Sequence, residues 1–354
     1  MDPTEAELDR LVEGGLPGAF VYVEGANGGS RFWAAGVGDL ETGAAMTPTS
    51  HYRIGSTSKT FTAVVVLQLI GEGRLAVNDL VQDRLPDLSI PNGDRLTVEH
   101  LLRMRSGLFD FEDDPSLIGN LEGHLAPVSL ARVNELALRG PITFLPGERF
   151  EYCNSNFCLL EAIVERVTGR GLGEEMRERI FEPLGLSQTT YPDEDDLSLP
   201  EPYIRGYDRT DDGWRECSHT FFGRGDGAIV STAVDVARFF RALLVERSLL
   251  SAELLELMMS TLPDSEPTEL KMFGVSTPVR YGMGLFSHPV ECGEVWGHSG
   301  GGYGYVHAPF VRLETGRIAI MMRNASFGFH KPASVELASR LAFSREFRSR
   351  LYCD

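Results

Sequence analysis

The sequence predicts an α/β (α+β) fold in which one sheet is assembled from both ends of the chain and a mostly helical region is inserted between them. Three observations carry this. Strand-like runs gather near the N-terminus, others gather near the C-terminus, and the stretch between them has helical periodicity broken by irregular loops. The division places residues 1–80 together with 265–354 in the sheet region and 81–264 in the helical region, as parts of a single domain.

The first strands are predicted at residues 19–24 and 31–36, where Ala19-Phe20-Val21-Tyr22-Val23 and Arg31-Phe32-Trp33-Ala34-Ala35 flank the turn Gly25-Ala26-Asn27-Gly28-Gly29-Ser30. The next segment, 57–69, is densely apolar, with Phe61, Val64, Val65 and Leu67, and closes on Gly71 and Gly73. Its length and those glycines favour a buried helix over a strand, despite three consecutive valines. Thr97 is a candidate N-cap, although His100 stands where a capping box places Glu or Gln. Further helices are predicted at 129–138, 157–167, 174–180, 234–244 and 252–259, and short strands at 294–296, 304–308 and 317–322, followed by a last helix at 332–343.

Composition removes several function classes. With 33 Lys and Arg against 51 Asp and Glu, the net charge of -18 repels nucleic acid and anionic membranes. No run of 18 apolar residues occurs, so no membrane span is expected. The acidic opening Met1-Asp2-Pro3-Thr4-Glu5 lacks the basic flank and apolar run of a secretory signal, from which a cytoplasmic location is expected. The five cysteines, at 153, 158, 217, 292 and 353, include no Cys-x-x-Cys spacing and read as reduced thiols in the core. Acidic stretches at 110–114 and 193–196 read as solvated loops, because they lack the spaced oxygen ligands and glycine of a calcium loop. No metal site is expected.

Three short motifs point to acyl-transfer chemistry. In Gly55-Ser56-Thr57-Ser58-Lys59, a hydroxyl and an ammonium three residues apart share one helix face, which suits an activated nucleophile. A charge at the end of an enclosed helix must be paired, so Lys59 is not expected to be an idle surface group. In Tyr152-Cys153-Asn154, a phenol held beside a lysine would be stabilised as phenolate and could exchange a proton with Ser56, while Asn154 could donate to a substrate carbonyl and accept from Lys59. In Trp296-Gly297-His298-Ser299-Gly300-Gly301-Gly302, small residues let a strand edge approach a substrate, and His298 would add a group titrating near neutrality. Alone, each motif also fits ordinary structure: a capping serine, a core tyrosine with an Asx turn, a glycine-rich hairpin. Arg105, Arg224 and Arg280 are carboxylate-binding candidates that read more simply as solvated surface residues.

Together and in this order, the motifs resemble the serine penicillin-recognising superfamily, with Ser-x-x-Lys, Tyr-x-Asn and a third Lys/His-Thr/Ser-Gly element. The chain is most similar to the class C β-lactamase and D-alanyl-D-alanine carboxypeptidase branch, over roughly residues 15–325. Supporting stretches are Leu101-Leu102-Arg103-Met104-Arg105-Ser106-Gly107-Leu108, Gly225-Asp226-Gly227-Ala228-Ile229-Val230-Ser231-Thr232 and Tyr281-Gly282-Met283-Gly284-Leu285. The resemblance implies a β-lactamase/transpeptidase-like fold, with an antiparallel sheet flanked by helices and the active site in the cleft beside the inserted region. It implies Ser56 as the acylated serine, Lys59 as its proton-relay partner, Tyr152 as base and acid, and Asn154 as the residue orienting the acyl side chain. His298, Ser299, Gly300 and Gly301 would line the substrate, with the amides of Ser56 and Gly301 as oxyanion donors. No metal or organic cofactor is needed. The implied partner is a small molecule or short peptide with an ester, amide or lactam carbonyl. Gly301 replaces a residue that often carries a hydroxyl, which favours esters, amides and small D-amino-acid peptides over a cell-wall-type carboxylate. A β-lactamase, an acyltransferase and a non-catalytic ligand-binding protein remain the alternatives, and oligomeric state is open.

Overall fold

The computed structural model describes residues 2–117, 121–262, 268–272, 275–327 and 343–353. A helix, Pro3–Glu13, leads into β1 (Gly18–Glu24) and β2 (Ser30–Gly36), the hairpin predicted at the N-terminus. β3 (Tyr52–Arg53), β4 (Tyr207–Thr210), β5 (Gly213–Glu216) and β6 (Val230–Ser231) belong to two small sheets away from the main one. The C-terminal part supplies β7 (Thr268–Met272), β8 (Val275–Tyr281), β9 (Phe286–Val290), β10 (Gly293–Gly297), β11 (Gly300–Gly302), β12 (Tyr305–Arg312), β13 (Arg317–Arg323) and β14 (Ala325–Ser326).

Among the described residues the main sheet runs β2-β1-β13-β12-β10-β9-β8-β7, with β11 also on β12, and its pairings are antiparallel. β1 lies directly against β13, Tyr22 opposite Ile320, so the two ends of the chain meet in mid-sheet as predicted. β7, β8 and β9 were not foreseen as strands. Pro278 and Pro289 interrupt their patterns, and strand pairing here comes from neighbours rather than from local propensity. The helix expected at 332–343 falls mostly outside the described residues.

Helices cover the sheet and form the inserted region: Ser58–Gly71, Leu130–Arg139, Ser155–Thr168, Leu172–Met176, Ala233–Phe240, Ala252–Met259 and Arg345–Cys353. Ser58–Gly71, the nucleophile helix, is buried on nearly every side, which is why its sequence shows an apolar run rather than one apolar stripe. The helices predicted at 174–180 and 234–244 each end in a wider turn, at Arg177–Phe181 and Arg241–Val245. At Thr97 the capping box is complete. The His100 ring nitrogen accepts from the Thr97 amide at 3.2 Å, in the role expected of Glu or Gln.

Two expectations are corrected. Cys292, in the β9–β10 turn, is bonded to Cys353 on the last helix, so the chain does not carry five reduced thiols. Sixty-one residues separate the pair, and only the docking of that helix against the sheet brings them together. Cys153, Cys158 and Cys217 are buried free thiols, as expected. Arg105 and Arg224 are buried rather than solvated, whereas Arg280 is an exposed partner of Glu294. No described helix is long and apolar enough to cross a membrane.

Candidate active site

Ser56 sits in a tight turn, Gly55–Thr57, that runs directly into the nucleophile helix. Two glycines make this placement possible. Gly55 takes a φ of +50°, and a Cβ there would lie 2.8 Å from the Gly301 nitrogen. A Cβ on Gly300 would lie 1.8 Å from the Ile54 carbonyl oxygen. The β11 backbone therefore packs against the nucleophile turn more closely than any side chain would allow, and the third motif reaches the first through bare backbone.

Buried polar contacts lock the two together. The Thr57 hydroxyl donates to the His298 carbonyl at 3.0 Å, and His307 on β12 bonds the Ile54 carbonyl at 2.9 Å. The rest of the helix is anchored by its hydroxyls. Thr60 donates to the Gly284 carbonyl (2.7 Å), Thr62 donates to the Gly225 carbonyl (2.6 Å), and Ser58 accepts from the Ile229 amide (3.1 Å). The stretches around 225–232 and 281–285 therefore serve as the helix's polar sockets.

Lys59 is completely buried, and its ammonium donates to the Ser56 hydroxyl (3.0 Å), the Asn154 side-chain carbonyl (2.7 Å) and the Asp226 carbonyl (2.9 Å). All three N–H bonds are thus used, and no lone pair faces the serine. Asn154 is held from its other end, where its backbone and side-chain N–H groups both donate to Asp110 Oδ2, at 2.9 and 3.1 Å. Asn154 accepts from Lys59 as the motif suggested, and Asp110 fixes the direction of its carboxamide.

The Tyr152 ring centroid lies 5.1 Å from the Lys59 nitrogen, and Ser56 stands close enough to the phenol to favour its charged form. The phenolate expectation is corrected. Burial pushes the Tyr152 hydroxyl well above its ordinary range, and the negative charges of Asp226, Asp110 and Glu112 push it further. Lys59 reaches the ring face, and the charges that act on the phenol are those of Asp226, Asp110 and Glu112. In the resting protein Tyr152 is a neutral phenol.

His298 is also corrected. Burial, with the nearby Lys59 charge, lowers it to about 3, so it is a neutral ring rather than a group titrating near neutrality. Its Nδ1 bonds the Ser299 carbonyl at 2.6 Å, which makes Nε2 the acceptor for the Tyr281 hydroxyl at 3.3 Å. Ser299 is half-buried, Gly300 is buried and Gly301 is exposed at the cleft. The structure therefore brings all eight predicted site residues to one place.

Sequence reasoning missed Asp110, Glu112 and Asp226. Asp110 and Glu112 lie in the acidic stretch read as a solvated loop, but they face the site. Desolvation pushes the Asp110 carboxyl up to about 6, and desolvation together with Asp110 and Asp226 pushes Glu112 up to about 8. A useful signal was present, since Asp110 stands two residues after the Gly107-Leu108 turn beside the Tyr152 segment. Spacing alone does not show that the two segments touch. Arg224 binds no open subsite either: it pairs with buried Glu161 at 3.3 Å.

A family model described as Beta-lactamase matches residues 4–341. The fold is similar to that of a D-stereospecific amidohydrolase from Streptomyces sp., with a TM-score of 0.80, 30% identity, and coverage of 95% of this chain and 97% of the other. Among curated relatives, protein flp of Staphylococcus aureus (strain MW2) is 29% identical over 198 residues, 53% of this chain and 38% of that protein. A D-aminopeptidase from Cereibacter sphaeroides is 28% identical over 96% of this chain and 63% of its own length. The chain thus spans less than two thirds of either curated relative.

Proposed function

The chain belongs to the beta-lactamase family, and from that premise we propose that it is a serine hydrolase that cleaves small D-amino-acid amides or peptides carrying a free α-amine. The observation that carries the substrate reading is the pair Asp110 and Glu112 beside the Ser56, Lys59 and Tyr152 cluster. Acidic groups at the mouth of an acyl-transfer site suit a cationic amine and oppose the carboxylate-bearing side chain of a penicillin. Of the candidate arginines, Arg224 is paired with Glu161 and Arg280 with Glu294, and Arg105 donates to the Gly147 carbonyl. The names of the Streptomyces and Cereibacter relatives, a D-stereospecific amidohydrolase and a D-aminopeptidase, support the same class.

In the proposed reaction, Ser56 Oγ attacks the amide carbonyl, and the developing oxyanion is met by the Ser56 and Gly301 amides. For Tyr152 to act as base its phenol proton must first leave to solvent; the phenolate then takes the Ser56 proton and returns it to the leaving amine. Lys59 stays cationic throughout and stabilises the charge that moves between Ser56 and Tyr152. A bound substrate ammonium offsets Asp110 and Glu112, two of the charges that keep the phenol protonated, so the correct substrate also prepares the base. Water then cleaves the acyl-enzyme.

The test is intact mass and turnover with D-alaninamide, comparing wild type with Ser56→Ala. A transient acyl adduct and ammonia release in wild type alone are expected. Equal turnover in both would refute the serine mechanism, and a folded wild type that is neither acylated nor active would favour a binding role.

A further inference from the structure

We propose that Asp226 is a positioning residue for Lys59, its buried carboxylate holding the lysine as an ammonium aimed at Ser56 and Asn154. The inference rests on the serine-hydrolase reading for its catalytic meaning, but its geometry stands by itself. Lys59 is wholly buried, and a buried cation needs a counter-ion. Asp226 Oδ2 is 3.8 Å from Lys59 Nζ, and the two side chains are 3% and 0% exposed. The same residue's backbone carbonyl takes one of the three ammonium protons, so Asp226 supplies both a hydrogen bond and a charge.

The carboxylate occupies a prepared place. Its Oδ1 accepts from the Arg224 amide at 2.8 Å and from the Cys158 thiol at 3.1 Å. A Cβ on Gly223, whose φ is +89°, would lie 2.5 Å from that oxygen, so only glycine leaves room for it. The neighbouring cation is kept away. The Arg224 guanidinium pairs with Glu161, which also accepts from the Gly225 amide at 2.6 Å. The 223–226 turn thus sorts four charges into two pairs, Arg224 with Glu161 and Lys59 with Asp226. The other titratable groups facing Asp226 are Cys158 from the helix Ser155–Thr168, Tyr152 from the segment before it, and Asp110 and Glu112 from across the cleft. Asp110 is engaged with Asn154, and neither it nor Glu112 forms an ion pair with Lys59. Asp226 is therefore the carboxylate that fixes the ammonium.

Lysine protonation can be followed directly, because the sequence contains only Lys59, Lys271 and Lys331. The full-length protein labelled with ¹³C at lysine Cε is titrated by NMR, with the Lys59 signal assigned by its loss in Lys59→Arg. In Asp226→Asn the Lys59 signal should titrate about one pH unit or more below wild type, the shift expected when an opposite charge at this range is removed. The kcat/KM profile for D-alaninamide should move toward acid with it. If Asp226→Asn does not fold, Cys158→Ser reads the same effect. A hydroxyl donates more strongly than a thiol and draws charge from the carboxylate, so a smaller shift in the same direction is expected. An unmoved Lys59 titration in a folded variant would overturn the proposal. Wild type without Ser56-dependent turnover would overturn the hydrolase reading instead, and the lysine titration would still report on Asp226.

Discussion

Glu112→Gln separates recognition of a substrate amine from general damage to the site. Two unit charges about 4 Å apart attract by about 4 kcal/mol at an effective dielectric of 20. Glu112 is exposed as a residue although protein atoms crowd its carboxyl, and screening reduces that to about 1–2 kcal/mol, or roughly 5–30-fold in kcat/KM. The assay compares D-alaninamide with N-acetyl-D-alaninamide, which keeps the scissile bond and loses the cation. Glu112→Gln should lower kcat/KM for the amine substrate by roughly 5–30-fold and leave the acetylated one unchanged or improved. The pH dependence has a fixed sign. Asp110 is pushed up to about 6 and Glu112 to about 8, so both carboxyls are neutral in acid; activity on the amine substrate climbs as pH rises through that window until the α-amine loses its own charge near about 8. The Glu112→Gln profile should lose the upper part of that climb. Equal losses on both substrates, or no loss on either, would refute the reasoning.

Gly300→Ala should cost about 1–3 kcal/mol in urea unfolding and suppress acylation of Ser56, because its Cβ meets the Ile54 carbonyl oxygen at 1.8 Å. Gly301→Ala, whose nearest neighbour is at 3.6 Å, should fold like wild type, and equal damage from the two would contradict this packing. Cys292→Ser should lower stability by about 2–4 kcal/mol through loss of the loop closed with Cys353. Alkylation of the denatured, unreduced protein should label the three free cysteines. Labelling of all five after isolation from the native host would favour the cytoplasmic location over an oxidising compartment. His288, His298 and His307 are lowered by burial to about 4, 3 and 3. Their stabilising share is complete above the unfolded value near 6.5 and is lost as pH falls toward those lower values, at about 1.4 kcal/mol per pH unit for each ring. His307→Gln should therefore narrow its stability gap to wild type between pH 6.5 and 4, measured by urea unfolding, and a constant gap would argue against a neutral buried ring.

Local patterns were legible where the interaction itself is local. Ser56 and Lys59 share a face because they are three residues apart, and Tyr152 with Asn154 stand together before one helix. The hairpin of β1 and β2 and the helix at 252–259 follow from alternation and periodicity in a single window. β7 to β9 were not legible, because their pairing depends on neighbours in the sheet, and the bond between Cys292 and Cys353 depends on where the last helix docks.

The sequence by itself determined the chemistry available: a serine, a lysine, a tyrosine and an asparagine at spacings that two helix starts bring into register, and glycines that let a strand edge approach them. The tertiary structure decided the charge state of that equipment. Asp226 lies 167 residues from Lys59, and Asp110 lies 44 from Asn154, yet with burial they make Tyr152 a phenol and the cleft acidic. Burial does the same for His298, leaving it neutral. Protonation depends on desolvation and on charges gathered from distant segments, and those quantities exist only once the chain has folded.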